Sequence, residues 1–249
     1  MKMLPFLCLL ICVASCRHES DKGPSAQEIV DKAIQRAGGD RYRNSGIAFR
    51  FRDRDYRKEI TKDGILMKRI TVSDSDTITD IFSGNGFKRL VNGSLVAVPD
   101  SMAVKYSNSI NSVFYFASLP YGLNDRAVNK EYMGIARIGD TPYHKVRVTF
   151  DKEGGGKDYE DEYVYWFSVE TFEPEYLAYD YHVDGGGSRF RKAYNERYVD
   201  GIRFVDYYNY APTERTDPAI LDKLYENGEL NLLSNIELRE IEVISDSYN

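Results

Sequence analysis

Two runs of three glycines, Gly154-Gly155-Gly156 and Gly185-Gly186-Gly187, are the segments of this chain best suited to closing backbone around a ligand. Glycine permits positive φ and close approach, and successive N–H groups can converge on an anion. Ordinary turn chemistry uses glycine in the same way, and the sequence leaves both roles open. Carboxylates crowd these runs: Asp151, Glu153, Asp158, Glu160, Asp161 and Asp184. Oxygen donors at this density suit Ca²⁺, but no segment has Asp-x-Asp-x-Asp-Gly spacing. A solvated acidic loop is the preferred reading, and no metal site is assigned. The histidines are His18, His144 and His182. His144 shares a strand face with Val146, Val148 and Phe150, the setting of a hydrogen-bonded core histidine, while His182 lies beside the second glycine run. Zinc needs three or four ligands, which these do not supply. There is no Gly-x-Ser-x-Gly elbow, P-loop or dinucleotide fingerprint. No catalytic residue and no cofactor is assigned; a hydrolytic site would need His144 or His182 within reach of a carboxylate or serine.

Aromatic residues, including many of the 20 tyrosines, concentrate between residues 159 and 210. Strand 163–169 is apolar on both faces, with Tyr163, Tyr165, Phe167 and Val169 on one and Val164 and Trp166 on the other. Such a strand is covered on both sides, by a helix, a ligand or a partner. Tyrosine joins apolar area to a polar tip and suits wet pockets and interfaces, although strand propensity and core packing explain most of these residues. Arginines interleave along two stretches: Arg50, Arg52 and Arg54, then Arg189, Arg191 and Arg197. They read as a solvated face paired with Asp and Glu, or alternatively as a surface that meets an anionic head group.

The chain has 249 residues, net charge −6 and 42% hydrophobic residues. That is too apolar and too weakly charged for disorder. Nucleic-acid binding needs an excess of Lys and Arg that is absent here. All three cysteines lie in the first sixteen residues. Residues 1–15 read as a removable leader, with Lys2 as the positive start and Met3 to Ala14 as an apolar stretch. The stretch falls short of the about 20 residues that span a bilayer. Val13-Ala14-Ser15-Cys16 resembles the bacterial lipobox. The resemblance implies cleavage before Cys16 and acylation of its sulfur and new amine; a plain secreted protein or an uncleaved anchor is the alternative. Two acyl chains give stable attachment to a membrane. Cys8 and Cys12 leave with the leader, so no disulfide is expected. Residues 16–24 then form the lipidated cysteine and a polar tether, and residues 25–249 a single domain.

Within that domain, Ser25 and Glu28 form a capping box, and Ile29, Val30, Ala33, Ile34 and Ala37 recur at helical spacing before Gly38-Gly39. Ile47, Phe49 and Phe51 alternate as a strand does. Further strands are expected at 64–72, 76–83, 86–91 and 94–98. The spacing of Tyr106, Ile110, Val113, Phe114 and Ala117 predicts a helix over 100–118 lying on the sheet. Strands follow at 129–138, 142–151, 162–169, 175–183, 188–198 and 201–210. Pro218 opens a short helix to about residue 226. In a final strand at 235–244 the apolar set changes face, which implies a bulge or bend near Arg239. If 142–210 is a meander, the two glycine runs fall at the same end of the sheet, about 10 Å apart.

The order helix, long strands, covering helix, more strands describes an α+β, mainly antiparallel protein, a curved half-open β-barrel covered by a few helices. With the lipobox and the opening helix ending Ala37-Gly38-Gly39, this order resembles the LolA/LolB-type envelope lipoproteins. Tyr143-His144-Lys145, Glu153 to Gly156 and His182 to Gly187 resemble more closely a Bacteroidota lipoprotein family of this general type, which brings no catalytic residues with it. The resemblance implies a lipid-anchored protein of the cell envelope, at the outer membrane on its periplasmic or surface face. It also implies a lipid or other hydrophobic ligand in the concave face of the sheet. Candidate lining residues are Phe49, Phe51, Val146, Val148, Tyr163, Tyr165 and Trp166. Candidate mouth residues are Gly154, Gly155, Gly156, His182, Asp184, Gly185, Gly186, Gly187 and Arg189. The alternative is a non-enzymatic surface lipoprotein that binds glycan, peptide or protein through a tyrosine-rich face. The sequence sets no oligomeric state.

Overall fold

The computed structural model describes residues 23–153, 159–182 and 185–245. Helix α1 (Ala26–Arg36) begins at the Ser25–Glu28 capping box and buries Ile29, Val30 and Ala33. A single turn, α2 (Asp40–Arg43), leads into the first sheet. Its strands are β1 (Ser45–Phe51), β2 (Arg54–Thr61), β3 (Gly64–Val72), β4 (Thr77–Ser83), β5 (Gly86–Val91) and β6 (Ser94–Val96). Helix α3 (Asp100–Ala117) then crosses the interior and buries Ile110, Val113, Phe114 and Ala117. The second sheet is a continuous meander of β7 (Val128–Ile138), β8 (Thr141–Phe150), β9 (Glu162–Ser168), β10 (Pro174–Tyr181), β11 (Gly187–Val199), β12 (Ile202–Ala211) and β13 (Asn231–Ile236). A 3₁₀ turn at Pro218–Ile220 and helix α4 (Leu221–Glu226) interrupt it before β13. The last strand, β14 (Leu238–Ser245), pairs with β1 in the first sheet. The architecture is therefore mainly antiparallel, two seven-stranded sheets with few helices, and the sheets are not closed into a barrel.

Two details depart from the sequence reading. Strand β2 is absent from the expected set because its inward face carries Tyr56, Lys58 and Ile60, and a lysine breaks the apolar alternation. Lys58 is nonetheless 4% exposed, its ammonium 4.0 Å from the Tyr42 ring centroid and donating to the Tyr42 carbonyl. The expected last strand is two strands. The chain changes sheets at Glu237, and the register of β14 on β1 slips between Ala48 and Arg50 opposite Glu240, whose φ is 51°. The buried carboxylate of Asp206 fixes this crossing by accepting from Leu238 N (2.9 Å), Arg197 Nη2 (2.9 Å) and Asn195 Nδ2 (2.6 Å).

Three apolar clusters result. One joins α1 to the concave face of the second sheet through Val146, Val148, Tyr165, Phe167, Leu177 and Tyr207. A second joins α3 to Ile47, Phe49 and Tyr56 of the first sheet and to Phe204 of β12. The third lies on the outer face of the second sheet, where Leu221 covers Trp166, Phe190 and Tyr176. Among the described residues, none before Ala26 enters any cluster or either sheet.

Candidate functional site

A cleft of about 600 Å³ lies where α3, the β1–β2 turn and the concave face of the second sheet meet. This size falls in the range of small-molecule sites, about 300–1,000 Å³. Cross-strand register builds the floor. Tyr163 stands opposite Tyr179, Tyr179 opposite Arg189, Leu177 opposite Arg191, Arg191 opposite Asn209 and Asn209 opposite Ser234. Side chains alternate along a strand, so this row presents one face of four successive strands, β9 to β12, and of β13 to a single space. Helix α3 supplies the roof. Asn108, Ser109, Asn111 and Ser112 line its middle turns, and Tyr115 and Phe116, with Leu119 just past its end, complete the roof. The β1–β2 turn adds Phe51, Arg52, Asp53 and Arg54.

Ring contacts hold the walls. Tyr163 stacks on Tyr179 with centroids 5.1 Å apart and meets Phe150 edge-on at 5.7 Å, and Phe51 meets Phe116 at 5.2 Å. Tyr115 and Tyr165 share a hydroxyl hydrogen bond of 3.1 Å. Burial pushes the phenols of Tyr115 and Tyr163 above their ordinary value of 10, so they stay neutral at physiological pH. Exposed Arg52, Asp53, Asn111, Ser112 and Ser234 mark the open side.

Among the expected lining residues, Phe51 and Tyr163 face the cleft. Phe49 packs against Phe114 in the α3 cluster, and Val146, Val148 and Tyr165 are fully buried in the α1 cluster. Trp166 points to the other face of the sheet, where Leu221 and Asp222 cover it. The doubly apolar strand is thus covered on its outer side by the chain's own α4. Cys16, Gly154, Gly155, Gly156 and Asp184 lie outside the described residues. Gly185 (φ 91°) and Gly186 (φ 73°) make a turn that side chains rarely adopt, and a Cβ at Gly187 would stand 2.9 Å from the Tyr181 hydroxyl. It is the flanking Tyr181 and Arg189 that reach the cleft, not the glycines.

Asp161, just before β9, and His182, just after β10, meet at one end of the sheet. His182 Nδ1 lies 3.4 Å from Asp161 Oδ1, and its Nε2 lies 2.6 Å from Arg215 Nη2. Arginine only donates, so Nε2 accepts from it and Nδ1 carries the proton toward Asp161. Both ring nitrogens are thus engaged by neighbouring side chains. Arg215 is itself held by Asp180 at 2.7 and 2.8 Å. Among the described residues no group of three or more His, Cys, Asp or Glu has metal-binding geometry.

His144 is 5% exposed, bonded through Nδ1 to the Tyr132 hydroxyl at 3.1 Å and stacked 5.5 Å from Phe172. Burial, with Lys32 second, holds its pKa below the ordinary 6.5. The unfolded chain then binds a proton that the native ring refuses. The contribution to stability is complete above pH 6.5 and is lost as pH falls from there through the native value. Thermal melts between about pH 7 and pH 5 should fall less steeply for His144→Gln than for the wild type. Parallel slopes would contradict this assignment.

The sequence singled out the arginine stretches without sorting them, and the structure sorts them. Arg50 pairs with Asp55 (2.8 Å) and Glu240 (3.0 Å), and Arg197 with Asp206. Arg52, Arg54, Arg189 and Arg191 line the cleft. The face of α3, Tyr179, Tyr181 and Asn209 carried no sequence signal beyond aromatic density and helical spacing.

Among the described residues, no helix is long and apolar enough to cross a membrane. No curated protein matches the chain. Among solved structures, a LolA superfamily protein from Nitrosomonas europaea is 11% identical, covering 88% of this chain and 94% of its own, with a TM-score of 0.44. A DUF1329 family protein from Desulfovibrio piger is 11% identical, with 91% and 95% covered and a TM-score of 0.45. The Mycobacterium tuberculosis lipoprotein LppX is 12% identical, with 65% and 91% covered and a TM-score of 0.28. A family model matches residues 2–238, and the chain belongs to that family, described as a family of unknown function, DUF6503.

Proposed function

We propose that this is a lipid-anchored envelope protein, tethered through Cys16 and residues 17–24, whose single folded domain binds a lipid or other hydrophobic small molecule in the cleft. The observation that carries the reading is the cleft itself. It is an open space of about 600 Å³ whose lining includes Phe51, Tyr115, Phe116, Phe150, Tyr163 and Leu177, beside the α1 cluster. Small-molecule sites are concave spaces of this size that combine apolar walls with a few convergent polar groups, and this lining has both. Most tyrosines of 163–181 serve the cleft or the cores, which favours an internal ligand over a tyrosine-rich binding face.

The test uses residues 17–249, which retain every residue of the sheets and clusters. Native mass spectrometry followed by organic extraction should find bound lipid after exposure to envelope lipid extract. Ser112 is exposed on α3 at the cleft, so Ser112→Trp should block the opening with a stability change within about 0.5 kcal/mol. Its bound lipid should be lost. A wild-type protein that emerges without lipid, or a variant that retains it, counts against the proposal.

A further inference from the structure

We propose that the cleft selects an amphiphile with an anionic head group, held by Arg189 and Arg191 together with Asn209. This rests on the ligand-binding reading above and names the chemical class of the ligand. The chain as a whole is acidic, with net charge −6, yet the cleft is basic. Its charged lining residues are Arg52, Arg54, Arg189 and Arg191 against Asp53 and Asp161. Asp53 is in the exposed turn, 3.9 Å from Arg54 Nε, and Asp161 holds His182.

Arg189 and Arg191 are half-buried and project from the same face of β11. Among the described residues their guanidinium nitrogens donate only to neutral oxygens. Arg189 bonds the Ser188 carbonyl and the Tyr181 hydroxyl, each at 2.8 Å, and Arg191 bonds the Tyr179 hydroxyl at 2.8 Å. Aromatic faces flank both cations. Arg191 lies 5.0 Å from the Tyr179 centroid and 5.5 Å from Phe116, and Arg189 lies 5.1 Å from Tyr181. Rings of this kind position a guanidinium and exclude water from it, but they do not neutralise its charge. Drawing charge out of water without a counter-ion is costly.

The unused hydrogen-bonding capacity lies in the same place. Among the described residues, the buried side-chain polar atoms without a hydrogen-bond partner are Arg54 Nε, Arg191 Nε, Asn209 Oδ1 and the Tyr121 hydroxyl. Three of these four residues line the cleft, and Arg191 and Asn209 are direct cross-strand partners. Native proteins rarely leave such atoms unpaired. A carboxylate or phosphate between the two arginines would accept from Arg191 Nε, and a protonated oxygen or bridging water would donate to Asn209. The apolar rings of Phe116, Tyr115 and Phe150 continue from that point and suit a hydrocarbon tail.

Isothermal titration calorimetry of residues 17–249 with dodecanoate, dodecyl phosphate and dodecanol, each below its micelle concentration, tests the assignment. At least one anion should bind about tenfold or more tightly than the alcohol, the worth of one charge-assisted hydrogen bond. That advantage should shrink with added salt and disappear in Arg191→Met. It should be reduced in Arg189→Met and kept in Arg57→Met, an exposed arginine of β2 outside the cleft. Preference for dodecanoate or for dodecyl phosphate identifies the head group as carboxylate or phosphate. Equal affinity for all three ligands in the wild type overturns the anionic subsite and leaves the hydrophobic reading standing. Binding of none overturns both. If Arg191→Met does not fold, the selectivity of the wild type alone decides.

Discussion

Asp80→Ala is expected to lower the free energy of unfolding by about 3–5 kcal/mol, the usual cost of removing one partner from a buried charge network. Asp80 is 2% exposed and stands in β4 directly between Arg69 of β3 and Arg89 of β5. Its Oδ2 accepts from Arg69 Nη2 at 2.6 Å and from Arg89 Nη2 at 3.0 Å, and its Oδ1 accepts from Arg89 Nε at 2.7 Å. Arg69 in turn donates to Ser109 of α3 at 3.0 Å, and the Arg89 guanidinium lies 4.0 Å from the Tyr106 ring. One carboxylate therefore joins three strands to the helix that roofs the cleft. Its removal leaves two guanidiniums, one of them deeply buried, without a counter-charge. Since a domain has only about 5–15 kcal/mol of stability, the variant should lie near the folding threshold. Urea unfolding at neutral pH measures the effect, and a loss below about 1 kcal/mol would contradict this account. Asp80→Asn keeps the shape and some hydrogen bonds and should cost less.

The second large effect is expected at Trp166. Trp166→Ala should cost about 3–5 kcal/mol, as truncation of a buried aromatic does. The ring is fully buried on the outer face of β9, and its Nε1 donates to Asp222 Oδ2 at 3.2 Å. Lys145 lies 4.9 Å from its centroid and 3.3 Å from the same carboxylate. Truncation opens a hole under α4 and leaves Asp222, 1% exposed, with Lys145 alone. Trp166→Phe fills most of the volume and should cost less. Because the cleft is on the opposite face, the folded fraction of Trp166→Ala should still bind a dodecyl ligand with wild-type affinity. A variant that folds but no longer binds would place the ligand on the outer face.

His144 was legible as a hydrogen-bonded core histidine from its apolar strand neighbours, whereas Asp206, on a strand with similar neighbours, is buried in a role set by a distant segment. For Asp206 that role is to fix the crossing of the chain from β13 to β14, thirty-two positions away at Leu238.

The order of elements was legible in the chain because it is written locally. Apolar residues at helical spacing mark α1 and α3, alternation marks most strands, and Pro218 and the capping box mark two helix starts. The change of apolar face after Leu238 announced the bulge of β14 near Glu240, although not the change of sheets just before it at Glu237. Strand β2 escaped because Lys58 takes a core position through the ring face and carbonyl of Tyr42, sixteen positions earlier in α2. The two faces of strand 163–169 could be told apart in sequence, but which of them meets helices, cleft or α4 could not.

The sequence by itself determined a mainly antiparallel body, rich in aromatic residues near its centre and with arginines spaced along strands. Only the tertiary structure decided which arginines are neutralised and which face an open space. Arg50, Arg197 and Arg191 have the same local context. A counter-ion, however, is supplied by cross-strand register and by chain segments far away in sequence. Periodicity fixes the direction in which a side chain points, and it carries no information about what stands opposite. The cleft is a property of how two curved sheets and α3 fail to fill the space between them.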